Sequence, residues 1–138
     1  MSRYCLVKTM FTDTNALVVA LMETGNWTVE QIEVHEVPQH LRGIGGDKRK
    51  EKANIIIRRQ HVGRASNDLG FVKGEDGSYE TIVSQFDLSR YGATWMANLK
   101  GNYAYHKLKQ DQEEMGRTVS RERCPGTNRQ RVEITGYR

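Results

Sequence analysis

The sequence predicts an α+β fold, a single-domain two-layer sandwich in which two helices accompany a largely antiparallel sheet. Three observations predict it. Residues 15–24 and 93–115 carry apolar side chains at helical spacing, whereas the runs around them alternate or are rich in β-branched residues. The helical segments are segregated from a block of successive strand-like runs, the pattern of an α+β layer arrangement. At 138 residues the chain is one domain, large enough to bury a core without staples.

Residues 3–11 alternate as a first strand, with Tyr4 and Leu6 expected to point inward. Thr12-Asp-Thr-Asn15 then offers side-chain oxygens for the orphan N–H groups of a helix start. The helix, Asn15 to Thr24, pairs Leu17 with Leu21 and Val18 with Met22, and Gly25 is placed to end it in the left-handed conformation. Trp27 to Val37 reads as a strand whose inward phase slips at Glu30 and Gln31, predicting a bulge there. Residues 38–52 hold three glycines and a run of cations, and are expected to form a mobile, basic, glycine-rich loop.

Ala53 to Gln60 contains Ile55-Ile-Ile57, apolar on both faces and therefore a central strand. Residues 67–87 form a hairpin about Glu75-Asp76-Gly77. Ala93 to Met115 is the second helix, with Trp95, Leu99, Tyr103 and His106 on one stripe; Gly101 beside them admits a close neighbour. Gly116 ends it, and 118–123 with 130–135 make a closing hairpin around Pro125-Gly126. The expected order is β-α-β-β-β-β-α-β-β.

Composition is that of a soluble globular chain: 37% hydrophobic, 28% charged, mean hydropathy −0.70. The longest apolar run, Ala16 to Met22, is too short for a bilayer, and the start lacks a secretory apolar region, so a cytoplasmic setting without membrane contact is expected. Cys5 and Cys124 are far apart, and the histidines at 35, 40, 61 and 106 lack ligand spacing, so neither metal nor other cofactor is expected. Charge is unevenly placed: residues 37–64 hold eight basic and two acidic side chains, residues 116–138 six and two, while the rest is net acidic. If these two blocks meet, they form a basic face.

Ser2-Arg-Tyr-Cys-Leu-Val-Lys-Thr9, Ile55-Ile-Ile-Arg-Arg-Gln-His61, Ser66-Asn-Asp-Leu-Gly-Phe71, the Asp76-Gly77 turn and Tyr103-Ala-Tyr105 carry a likeness to a known family. The chain resembles the domain-of-unknown-function family typified by the chloroplast hypothetical reading frame thirty-five, over nearly its whole length and most strongly from 53 to 107. The resemblance implies a small α+β protein with plastid, cyanobacterial, bacterial and phage relatives and no established activity. Their genes often neighbour those of ferredoxins and an AAA ATPase, which implies an accessory role. The closing hairpin and the 38–52 segment depart from that pattern, and no functional residue is carried over.

Candidate site residues therefore come from the chain itself. Gly43-Ile-Gly-Gly-Asp-Lys-Arg-Lys50 lacks the Gly-Lys-Ser/Thr ending of a phosphate loop, but Lys48, Arg49 and Lys50 can act as a flexible cationic arm. Arg58, Arg59, His61 and Arg64 follow the central strand, with Asn67 and Asp68 at the mouth of the hairpin. They can grip an anion, or Asn67 and Asp68 can hold their own turn while one arginine pairs with Asp68; the sequence weighs toward the second. Tyr91, Trp95, Tyr103, Tyr105 and His106 cluster around the second helix; Trp95 and Tyr103 belong to its packed stripe, leaving Tyr105 the freer candidate for stacking.

No nucleophile elbow, Cys–His pair or carboxylate pair stands out, so no catalytic residue is assigned. The expectation is a small non-enzymatic binding protein for a phosphate-bearing ligand, nucleotide or nucleic acid, acting through a basic face. The alternative is an adaptor docking on a partner protein; for a phage-encoded chain, a third is sequestration of a host signalling nucleotide. Assembly into a homo-oligomer is left open.

Overall fold

The computed structural model describes residues 3–123 and 130–136. In chain order the elements are β1 (Tyr4–Lys8), α1 (Thr14–Gly25), β2 (Ile32–Arg42), β3 (Lys48–Ile57), the one-turn α2 (Arg59–Val62), β4 (Leu69–Lys73), β5 (Tyr79–Ser84), α3 (Ala93–Glu114), β6 (Thr118–Arg123) and β7 (Gln130–Thr135). Val29–Gln31 and Gln85–Ser89 are 3-10 turns. The α+β class and the antiparallel pairing hold, with α2 as the added element. The chain forms two compact units, one from the start to Thr12 together with Trp27–Gly92, the other from Asp13–Asn26 and Ala93 onward.

The first unit is a five-stranded sheet in the order β1-β5-β4-β3-β2, antiparallel throughout. Ile55, Ile56 and Ile57 are fully buried because β3 has neighbours on both sides and cover on both faces. Gly77, at φ +87°, supplies the left-handed residue of the β4–β5 turn, and Asp76 accepts from the Ser78 N–H and hydroxyl. Tyr4 is buried as expected, but Leu6, on the same face, is left exposed.

The segment 38–52 is corrected most. It is not an irregular loop: β2 continues to Arg42, β3 begins at Lys48, and only 43–47 turns. The Gly43 N–H donates to the Asp47 carbonyl at 2.9 Å, and Gly46, at φ +80°, donates to the Gly43 carbonyl at 2.8 Å. Pairing shifts between Val34↔Ile55 and Gln39↔Ala53, and Asn54 donates to the carbonyls of His35 and Glu36 within that bulge. Beyond it, Leu41 and Ala53 pack with Tyr4, Ile56 and Ile82. Gly70 is glycine because a Cβ there would lie 2.7 Å from the Ala53 Cβ and 3.0 Å from Leu41. The bulge expected at Glu30–Gln31 is instead a 3-10 turn closed by the Thr28–Gln31 capping box.

In the second unit α1 and α3 pack together. Asp13 caps α1 by accepting from the Ala16 N–H at 2.9 Å, and Asn26, at φ +57°, takes the terminating role expected of Gly25. The Tyr103 hydroxyl accepts from the Asp13 N–H at 3.0 Å, and Asn102 donates to the Thr24 hydroxyl at 2.8 Å. Gly116, at φ +78°, follows α3, and β6 and β7 pair from Thr118↔Thr135 to Arg123↔Gln130. Gln130 donates to the Gly101 carbonyl at 2.6 Å, a close approach that the missing side chain admits. The expected turn at Pro125-Gly126 and Cys124 lie outside the described residues.

Candidate functional site

The site is built around two neighbouring side chains at the entrance of β4. Asp68 is 1% exposed, and its carboxylate accepts from the Arg42 N–H at 2.7 Å, the Arg59 N–H at 2.6 Å and Arg58 Nη1 at 2.8 Å. Its backbone N–H donates to the Arg42 carbonyl at 2.9 Å, and its carbonyl accepts from the Tyr4 hydroxyl at 2.8 Å. Desolvating a carboxylate this far is costly, and charge-assisted bonds to a guanidinium and backbone donors offset the cost. Asn67, 2% exposed, accepts from the Ile44 N–H at 3.0 Å and donates to the Ser84 hydroxyl at 3.0 Å. Its own N–H donates to Asp87, which also accepts from the Ser84 hydroxyl.

These residues hold the entrance, as the sequence suggests, but not by closing their own turn. They fasten the tip of the β2–β3 hairpin, more than twenty positions away, to the start of β4 and the end of β5. The distinction follows from reach: the Asp68 carboxylate lies between two backbone segments whose outer hydrogen-bonding groups would otherwise be unpaired.

Arg58 completes the fastening. It meets Glu33 through two parallel bonds of 2.8 and 2.9 Å, Asp68 through a third, and the His40 carbonyl at 3.3 Å. Hydrogen bonds from this guanidinium hold the Glu33 carboxyl below the ordinary carboxylate range, burial opposing; Glu33 likewise raises Arg58. Burial, reinforced by the Asp68 charge, pushes the Tyr4 phenol well above its usual value.

The hairpin tip that this network holds presents cations. Arg42 stands directly opposite Lys48 in the register, and His40 opposite Lys52. Lys48, Lys50 and Lys52 are exposed at alternate positions of β3 and make no ion pair among the described residues. Arg49 departs from expectation: it turns to the opposite side, its guanidinium 4.8 Å from the Tyr4 ring centre. Arg64 is exposed, Arg59 contributes its N–H to Asp68, and His61 contributes its carbonyl to the Trp27 indole at 2.8 Å.

Tyr105, expected to be free, is buried in the second unit beneath Arg121, whose guanidinium lies 3.9 Å from the ring centre. Arg121 in turn pairs with Glu23 at 3.0 Å, and Glu23 meets His106 at 2.8 Å. Tyr91 stacks on Trp27 in the first unit at 6.1 Å, so the expected aromatic cluster divides between the units. The structure brings Lys48, Lys50, Arg58, Asn67 and Asp68 into one connected region, where sequence reasoning missed Glu33, Ser84 and Asp87 and covered Arg42 and Lys52 only as part of the basic block. Glu33, Ser84 and Asp87 do not stand out without the fold.

Among the described residues no group of three or more His, Cys, Asp or Glu side chains can hold a metal, and no helix is long and apolar enough to cross a membrane. Residues 30–132 match the model of a protein family of unknown function, DUF1257, and the chain belongs to that family. Neither the curated proteins nor the solved structures yield a match.

Proposed function

We propose that this member of the DUF1257 family is a non-enzymatic binding protein for a phosphate-bearing ligand, and that the exposed cationic side of the β2–β3 hairpin receives it. One observation carries this reading: Arg42 and Lys48 face each other across the hairpin, continued by Lys50 and Lys52. Like charges directly opposite on a sheet repel, and an anion between them relieves the repulsion. Lys50 and Lys52 extend the row past a register shift between His40 and Arg42, so the cations follow an irregular stretch of the hairpin. The hairpin is prefastened by Asp68, Asn67 and Arg58, so little ordering cost falls on binding. An extended polyanion suits an open row of cations better than a mononucleotide does.

Fluorescence titration against labelled oligonucleotides and a nucleotide panel, at two salt concentrations, tests this. Oligonucleotides are expected to bind with affinity falling linearly in log salt. Replacing Lys48, Lys50 and Lys52 together by Gln should shallow that slope by about 2, at roughly 0.7 per phosphate contact on a single strand. Absence of binding at low salt to every member of the panel ends the proposal.

A second reading has one observation of its own. Val34 and Val37, on edge strand β2, are both more than half exposed, which suits an adaptor offering a sheet edge to a protein partner. A stoichiometric protein that co-purifies after nuclease treatment, and is lost on Val37→Lys, favours that reading.

A further inference from the structure

The fastening at Asn67 has a second consequence. Its side chain bonds Ile44 in the hairpin turn and Ser84 at the end of β5, and its N–H bonds Asp87. Ile44 and Phe86 are therefore carried on neighbouring turns joined through one buried residue. Both side chains face solvent, Ile44 at 47% and Phe86 at 54% exposure. The chain around them is basic. The Arg3 carbonyl accepts from the Gln85 N–H at 2.8 Å, which sets Arg3 beside the Phe86 turn. Arg42 lies two residues before Ile44 and Arg64 three before Asn67; all three arginine side chains are exposed. Ala65, between Arg64 and the hub, sits at φ +58°, a conformation that alanine rarely adopts.

The nearby acids leave this rim largely uncancelled. Asp68 and Asp87 are buried and bonded inward, so of these three acids only the partly exposed Asp47, in the hairpin turn, offsets the arginines. An exposed aromatic ring on a turn flanked by arginines matches the two halves of a nucleotide, an apolar face and a charged link. A protein partner would be expected to meet a larger apolar centre with fewer cations.

We propose that Phe86 is a stacking platform for an unpaired nucleobase, and that Arg3, Arg42 and Arg64 hold the phosphates flanking that base. This rests on the reading of the hairpin as a phosphate-binding face and adds the ligand class, single-stranded nucleic acid. Duplexes present their bases edge-on and cannot cover the ring.

The test is fluorescence anisotropy with 12-nucleotide single strands of DNA and of RNA, the same DNA as a duplex, and a single strand bearing abasic sites. Phe86→Ala is expected to weaken single-strand binding roughly tenfold with an unchanged salt slope, and Phe86→Tyr to restore it. On the abasic strand, Phe86→Ala and the unaltered protein should bind alike. The DNA and RNA arms report which sugar is preferred. Equal binding of Phe86→Ala and the unaltered protein to intact strands, with the triple lysine variant still weakened, overturns the platform and leaves the hairpin reading standing. Equal affinity for duplex and single strand also overturns it. If no oligonucleotide binds the unaltered protein at low salt, the platform falls, and the hairpin reading falls with it only when the nucleotide panel also fails to bind. Phe86 is on the surface, so matched thermal unfolding of the variants checks that the fold is unchanged.

Discussion

The two ends of β3 carry cations that behave in opposite ways. At the exit, Arg58 is bonded to Glu33, Asp68 and the His40 carbonyl; at the entrance, Lys48, Lys50 and Lys52 face water. Both groups belong to the same basic block, and a charge count treats them alike. Their environments do not. Arg58 is a fastener whose charge is paired within the fold, whereas the lysines are exposed and pair with no acid among the described residues. Predictions that separate the two ends should differ in what they damage.

Asp68→Ala is expected to have the largest effect. It removes one of the two carboxylates on Arg58 and strands the Arg42 and Arg59 N–H groups, a loss of about 3–5 kcal/mol at roughly 1–3 kcal/mol per unsatisfied buried donor plus the lost ion pair. Urea unfolding monitored by Trp fluorescence measures it. A loss below about 1 kcal/mol would mean that water takes over these donors and that the hub is not structural.

Gly70→Ala acts on the same fastening from the apolar side. The added methyl meets the Ala53 Cβ at 2.7 Å and Leu41 at 3.0 Å, where the hairpin lies on the sheet. Overpacking of this kind costs about 1–3 kcal/mol. The double change Gly70→Ala with Ala53→Gly removes the opposing methyl and should recover part of the loss. No recovery would place the strain elsewhere than between β3 and β4.

Acid should weaken the Arg58 end and spare the lysines. The Glu33 pKa is depressed in the folded chain, so its stabilisation is present above the ordinary carboxylate value, near 4.5, and is lost as pH falls through the lower folded value. Comparing Tm of the unaltered protein and Glu33→Gln from pH 7 to pH 3 tests the sign. The gap between them should narrow below about pH 4.5; a gap that widens with acid contradicts the assignment.

How far the sequence speaks depends on the range of the interaction. The β4–β5 turn was legible because Asp76 and Gly77 settle it locally, and β6 and β7 because two short runs flank one turn signal in the sequence. α3 was legible from a stripe that includes Leu99 and Tyr103, both buried. The 38–52 hairpin was not, since Leu41 is its only fully buried side chain and the rest of its fastening comes from Asn67 and Asp68. Tyr105 was misjudged for the same reason: the side chain that covers it, Arg121, arrives from another element. The pairing of an arginine with Asp68 was foreseeable as chemistry, while Glu33 as its second partner required the β2–β3 register.

The smallest effect on stability belongs to the other end of β3. Replacing Lys48, Lys50 and Lys52 by Gln removes three exposed charges that pair with nothing among the described residues, one of them opposite Arg42. Surface substitutions of this sort stay within about 0.5 kcal/mol, and relief of the Arg42–Lys48 repulsion can make the sign favourable. The same variant is the one expected to bind polyanions weakly, so stability and binding should move independently. Asp68→Ala, by contrast, should lose both, because a hairpin released from the hub no longer holds its cations in register. If the lysine variant unfolds as readily as Asp68→Ala, the lysines are fasteners too, and the distinction between the two ends of β3 disappears.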